Sequence, residues 1–130
     1  MKLRPPGGVL EYAALACLWR LGNASAREVY EQIGAPEQLV YTTVAKVLDR
    51  LHAKHLVTRE REGKAFRYFP AVPREQVQRA RARTALSNLL GDDPRGAVVG
   101  LVHAFETLNP KLLDELAHAV QARRRSRRGS

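Results

Sequence analysis

The stretch Leu39-Val-Tyr-Thr-Thr-Val-Ala-Lys-Val-Leu-Asp-Arg-Leu51, read together with Leu56-Val-Thr-Arg-Glu-Arg-Glu62 and Ala65-Phe-Arg-Tyr-Phe-Pro70 behind it, decides the fold. In the first segment Val40, Val44, Val47, Leu48 and Leu51 recur at helical spacing and define one apolar stripe. At about 100° per residue the opposite face carries Thr42, Ala45, Lys46, Asp49 and Arg50, with Tyr41 and Thr43 flanking it near the N-terminal end. From Leu56 the apolar period changes from helical to two. With Gly63-Lys64 between the runs, this predicts a β-hairpin with a basic tip, ended by Pro70 and Pro73.

Working backwards, Leu10, Ala14, Cys17, Leu18 and Leu21 predict a first helix closed by Gly22-Asn23. Ser25-Ala-Arg-Glu28 is a capping box, in which the Ser hydroxyl and the Glu carboxylate satisfy each other's backbone amides. It opens a short second helix with Val29 and Ile33 inward, stopped at Gly34-Ala-Pro36. Three helices followed by a hairpin make a winged helix-turn-helix, the third helix sized for the major groove and the hairpin as its wing.

Working forwards, helical patterns start at Pro73, at Asp93-Pro94 and at Asn109-Pro110, the last two with a capping side chain before a proline in the first helical position. One carries Ala97, Val98, Leu101, Val102, Phe105 and Leu108, the next Leu112, Leu113, Leu116 and Val120. That is more apolar surface than two short helices hide on a small domain, so Leu101, Val102, Phe105, Leu112, Leu113, Leu116 and Val120 are expected to form a homodimer interface. The same faces would also suit helices that fold back to complete a monomeric core. The expected class is mainly α with a small β-hairpin. The expected organisation is a DNA-binding winged helix-turn-helix over 1–72, a helical dimerisation segment over 73–122 and a flexible basic tail over 123–130.

The chain has 130 residues, 45% hydrophobic and 27% charged, enough to bury one core and too little for a two-domain enzyme. Its net charge of +9 points to a polyanion. The charge is unevenly spread: residues 1–83 carry +7, 84–122 carry −3, and the Arg123 to Arg128 tail adds +5. The acidic balance of 84–122 keeps that segment off phosphate. The lone cysteine, Cys17, lies in an apolar stretch and fits a reducing cytoplasm. The longest apolar run, Tyr12 to Trp19, is far shorter than the ~20 residues needed to span a bilayer. Met1-Lys-Leu-Arg4 is followed by Pro5-Pro-Gly-Gly8 and Glu11, which break any signal-peptide core, so the chain reads as cytoplasmic, without membrane insertion.

A recognition helix holds itself with one face and offers short polar or basic groups on the other, because bulky rows keep the backbone out of the groove. Thr hydroxyls bond base edges or phosphates, Thr and Ala methyls meet thymine methyls, and Lys or Arg reaches guanine or the backbone. The candidate contacts to double-stranded DNA are therefore Tyr41, Thr42, Thr43, Ala45, Lys46 and Arg50 on the helix, and Arg61, Lys64 and Arg67 on the wing, where Arg59 adds a fourth cation. The helix pattern also fits an ordinary solvated amphipathic helix, and basic hairpins also guard sheet edges. Arg74, Arg79, Arg81 and Arg83 either touch flanking phosphate or solvate a connector. No nucleophile-base-acid set or phosphate loop is readable, so no enzyme activity and no catalytic residue is expected. His52 and His55 lack a third ligand nearby, and His103 and His118 lack Cys or carboxylate company, so neither a metal nor another cofactor is expected. The alternative from another class is a winged-helix protein-interaction or RNA-binding module without operator specificity.

Leu39-Val-Tyr-Thr-Thr-Val-Ala-Lys-Val-Leu-Asp-Arg-Leu51, Lys54-His-Leu-Val-Thr58, Gly63-Lys64 and Arg67-Tyr68-Phe-Pro70, with the Trp19 helix and the helical C-terminus, closely resemble the penicillinase-repressor family of transcription regulators. The resemblance implies a homodimeric repressor on a palindromic operator, controlling β-lactam-resistance or related stress genes. In the best-known branch a membrane sensor-protease relieves repression by cutting an Asn-Phe bond in the dimerisation region. The nearest counterpart here is Ala104-Phe105, where the Asn is absent. A copper-sensing branch uses a C-terminal cysteine cluster, which this chain lacks.

Overall fold

Three strands, not two, make the sheet. The computed structural model describes Arg4 and residues 6–129; Met1 to Leu3, Pro5 and Ser130, which the sequence reading assigns to the lead-in and the tail, lie outside the described residues. Helix α1 (Val9–Leu21) is followed by β1 (Ala24–Ser25), α2 (Ala26–Val29), α3 (Tyr41–Ala53), β2 (Val57–Glu62) and β3 (Ala65–Pro70). The sheet is antiparallel in the order β1-β3-β2, with Ala24 opposite Tyr68 and Ser25 opposite Arg67. A two-residue strand is too short to show any period, so β1 is invisible in the apolar pattern. The hairpin forms as expected, Glu62 pairing with Ala65 across Gly63-Lys64. Gly63 takes φ 65 at the first central position, where a two-residue turn that follows the strand twist requires a residue tolerant of positive φ.

The capping box closes as read: the Glu28 amide donates to Ser25 Oγ at 3.1 Å and the Ser25 amide to Glu28 Oε1 at 3.2 Å. Contrary to the expectation from the sequence, Gly34-Ala-Pro36 does not end the helical winding. The chain widens into a π turn over Tyr30–Gly34, tightens into a 3₁₀ turn over Ala35–Glu37, and stops at Gln38, which adopts φ 58. Widening lets the segment stay wound past a proline that an α-helix interior would not accept.

The core of this unit is built from Ala14, Leu15, Cys17 and Leu18 of α1, Ala24, Val29, then Val44, Val47, Leu48 and Leu51 of α3, with Leu56, Val57, Tyr68 and Val77. Each fully buried leucine or valine contributes about 1.5–3 kcal/mol over leaving it in water. Two expected core residues are not there: Val40 is 62% exposed and Leu21 43% exposed. Val40 is the extended N-cap of α3 and Leu21 the last residue of α1, so each sits where its stripe has run off the packed face. Cys17 is buried as read, and burial pushes its thiol up, which disfavours the reactive thiolate.

Helix α4 (Arg74–Leu90) begins in the first compact unit, which extends to Thr84, and runs into the second, which begins at Ala85. Val77 is fully buried in the first core, Gln78 Nε2 donates to Tyr12 Oη at 2.7 Å, and Trp19 Nε1 donates to the Val72 carbonyl at 2.9 Å. Arg74 and Arg81 lie over the rings of Trp19 and Tyr12, at 5.0 and 3.6 Å. These two arginines therefore act as packing for the connector.

The second unit holds α5 (Pro94–Leu108) and α6 (Pro110–Arg128), capped by Asp93 and Asn109, whose side chains accept from the Gly96 and Leu112 amides. The segment expected as a flexible tail is helical through Arg128. No residue of α5 or α6 is buried. Leu101, Ala104, Phe105, Leu108 and Leu112 line an open groove of about 260 Å³ between the two helices. Among the described residues no helix is long and apolar enough to cross a membrane.

Candidate nucleic-acid interface

Helix α3 is fixed from behind by Val44, Val47, Leu48 and Leu51, all at zero exposure, so its opposite face is presented without freedom to roll. Thr42 and Lys46 stand exposed on that face, and Ala45 and Thr43 are half-buried beside them. Lys46 is the cation in the middle of that face, beside the short side chains of Thr42 and Ala45. The helix N-terminus is braced by aromatic packing: Tyr41 meets Tyr30 edge to face at 5.7 Å, and the Arg27 guanidinium lies 5.0 Å from the Tyr41 ring. Arg27, exposed at the start of α2, joins the candidate face although the sequence reading passed over it, since only the fold brings α2 against Tyr41.

Arg50 is exposed, yet its Nε lies 3.4 Å from Glu11 Oε2, and Lys54 Nζ donates to Glu11 Oε1 at 2.8 Å. Glu11 is a buried carboxylate that also accepts from the Gly7 amide at 3.1 Å. Burial pushes its carboxyl up, but the Lys54 and Gly7 hydrogen bonds and the charges of Lys54 and Arg50 outweigh that and hold it below the ordinary glutamate range. It joins the start of α1 to the last turn of α3.

On the wing, Arg61 and Lys64 are exposed, Lys64 at the tip. Arg59 and Arg61 flank the Phe66 ring at 4.3 and 5.2 Å. Arg59 Nη1 donates to Asp49 Oδ1 at 3.1 Å, which links the wing to α3 and leaves Lys46 as the cation of the helix centre. Arg67 is placed differently from its neighbours. It is half-buried, donating to Asn23 Oδ1 at 2.9 Å, to Glu28 Oε1 at 3.2 Å and to Glu62. It therefore joins β3 to the start of α2 and to β2. Its own hydrogen bonds hold the Glu62 carboxyl low, while Ser25 does the same for Glu28.

A carboxyl held low in the folded state stabilises the fold while ionised. That contribution is present above its unfolded value and is lost as pH falls through the lower folded one. For Glu11, Glu28 and Glu62 the loss falls below the ordinary glutamate range. Glu11→Gln is expected to flatten the drop in melting temperature between about pH 6 and about pH 3. A variant as acid-sensitive as the parent would show that Glu11 carries no such linkage.

Among the described residues no group of three or more His, Cys, Asp or Glu is placed to hold a metal ion. His55 adopts φ 63 just beyond α3, its amide donating to the His52 carbonyl at 3.0 Å, so the pair closes the helix.

The geometry is that of a helix with one short polar, basic face, flanked by a cationic hairpin tied to it by Arg59 and Asp49. Residues 8–122 match the model of the penicillinase repressor family. The chain is 34% identical over 114 residues to the transcriptional regulator BlaI of Mycobacterium tuberculosis, covering 87% of this chain and 81% of that one. It is 24% identical over 106 residues to the penicillinase repressor of Staphylococcus aureus, covering 82% and 83%. The solution structure of the DNA-binding domain of the repressor BlaI superposes with a TM-score of 0.50 at 22% identity, over 58% of this chain and 93% of that one, a likeness of fold. On the match along most of its length, this chain belongs to the penicillinase repressor family of DNA-binding transcriptional regulators.

Proposed function

We propose that the chain represses transcription as a homodimer on a palindromic operator, reading bases with Thr42, Ala45 and Lys46 and holding phosphate with Arg61 and Lys64. The genes it controls are those of β-lactam resistance or a related stress response. The observation that carries the dimer is the absence of any buried residue in α5 and α6, although Leu112, Leu116 and Val120 line up on one side of α6 at helical spacing. Such a face is stable in water only when covered, and a second copy offers the same surface. A winged helix binds one half-site weakly; linking two raises the overall affinity without any new contact. Whatever splits the dimer, a membrane sensor-protease included, then switches the gene on.

Arg67 enters this reading as a positioning residue, because three partners within the fold already engage its guanidinium. Lys46→Ala is expected to weaken promoter binding with an unchanged melting temperature, and to make the slope of log affinity against log salt shallower by about 0.9. Arg67→Ala should lower the melting temperature as well as the affinity. Equal thermal stability in the two variants would remove the distinction. The reading as a whole is tested by gel shift with the chain's own promoter against a random duplex of equal length. A repressor prefers the promoter strongly, whereas equal binding would support an interaction module.

A further inference from the structure

We propose that the last two turns of α6 are a second duplex-DNA contact, made of residues separate from the α3 and wing face, which grips phosphates without reading sequence. The helix runs through Arg128, and the Gly129 amide closes it on the Arg125 carbonyl at 3.0 Å. Helical winding fixes how the charges are displayed. At about 100° per residue, Arg123, Arg127, Arg124, Arg128 and Arg125 fan across roughly 200° of the helix, leaving Ala122 and Ser126 on the remaining arc. All of these side chains are exposed. Arg123, Arg124 and Arg127, with Ala119 and Val120, line an open depression of about 340 Å³ on the helix surface, and guanidinium groups pair well with phosphate oxygens.

Arginines three and four apart on a helix repel one another, and only the favourable C-terminal end of the dipole offsets this from within. No Asp or Glu lies between Glu115 and Gly129, so Arg123, Arg124, Arg125 and Arg128 have no acidic side chain within their own two turns. A polyanion supplies the balancing charge. A bilayer surface fits less well, because membrane-lying helices insert bulky apolar residues opposite their cations, and none follows Val120. Duplex DNA is the polyanion this family already binds, and a chain held on DNA by its winged helix presents α6 at high effective concentration to neighbouring phosphates. The inference rests on DNA binding and not on operator symmetry.

The test compares the full chain with a variant in which Arg123, Arg124, Arg125, Arg127 and Arg128 are all glutamine, and with the corresponding five-lysine variant. The probe is a random-sequence duplex of about 40 base pairs, long enough to extend past a single major-groove footprint. The glutamine variant is expected to bind at least about tenfold more weakly near 0.1 M salt, with a log-log salt slope shallower by up to about 0.9 per arginine. The lysine variant should recover most of both, and the ratio of promoter to random affinity should stay unchanged. Parental affinity and slope in the glutamine variant would overturn the proposal. Conversion to monomers by sedimentation would overturn it in favour of pairing with the acidic 84–122 segment of a second copy. Loss of binding to vesicles of about 30% phosphatidylserine, with DNA binding intact, would overturn it in favour of a membrane surface. A chain without promoter preference whose slope still changes would keep this inference and lose the operator reading.

Discussion

Leu116→Asp is expected to leave the chain monomeric at micromolar concentration and to weaken promoter binding by about 10²–10⁴-fold. Leu116 lies on the apolar stripe of α6 with Leu112 and Val120, and it is 40% exposed in the single chain. On a two-fold interface a carboxylate placed there loses water and faces its own copy, so it carries both desolvation and like-charge repulsion. The winged helix is untouched, since its core draws on residues only up to Val77. The monomer should therefore keep the thermal transition of the first unit and its weak binding to a random duplex. Sedimentation velocity and a promoter gel shift read the two effects. A Leu116→Asp dimer of parental stability would place the interface on another face. Leu116→Met, which conserves volume and apolarity, should remain dimeric.

Gly34→Ala is expected to destabilise the first unit by about 1–3 kcal/mol, an overpacking cost. The reason is space and not backbone conformation, because Gly34 has an ordinary φ of −98. A Cβ there would stand 2.6 Å from Tyr30 Cδ1 and 2.8 Å from Val44 Cγ2, closer than real contacts allow. Val44 is fully buried behind the recognition face, and Tyr30 packs on Tyr41 at the N-terminus of α3. The methyl must therefore displace the Tyr30 ring or Val44, and either shift is passed on to α3. For a domain of this size each kcal/mol lowers the melting temperature by roughly 4–8 °C. DNA affinity should fall further than stability alone accounts for, because the displaced helix carries the proposed base contacts. A melting temperature within a degree of the parent would show that the turn has room that the contacts do not suggest.

Much of the fold could be read locally. The Ser25-Glu28 capping box, the Asp93-Pro94 and Asn109-Pro110 helix starts and the Gly63-Lys64 turn all form where their residues predict, because each is settled within one or two turns of chain. Val44, Val47, Leu48 and Leu51 are buried as the stripe requires, but Val40 is not, since periodicity alone does not say where a helix ends. Leu15 is fully buried, although the stripe read for α1 omitted it. Helix α1 is packed on more than one side, and a single stripe underestimates such a helix. The low-complexity composition of the basic tail suggests flexibility, whereas the preceding helix carries winding through it to Arg128.

The site divides along the same line. The sequence by itself determined the set of cations, the short side chains of the α3 face and the apolar faces of α5 and α6, since helical and strand periods sort side chains to faces before any tertiary contact forms. Which cations remain available to a ligand was decided only by the tertiary structure. Arg67 finds Asn23, Arg59 finds Asp49, Arg50 and Lys54 find Glu11, and Arg27 finds Tyr41. Arg67 and Asn23 are 44 residues apart and Lys54 and Glu11 are 43 apart. Coulomb and hydrogen-bond energies depend on distance in space, and at such separations along the chain only the closed core fixes that distance.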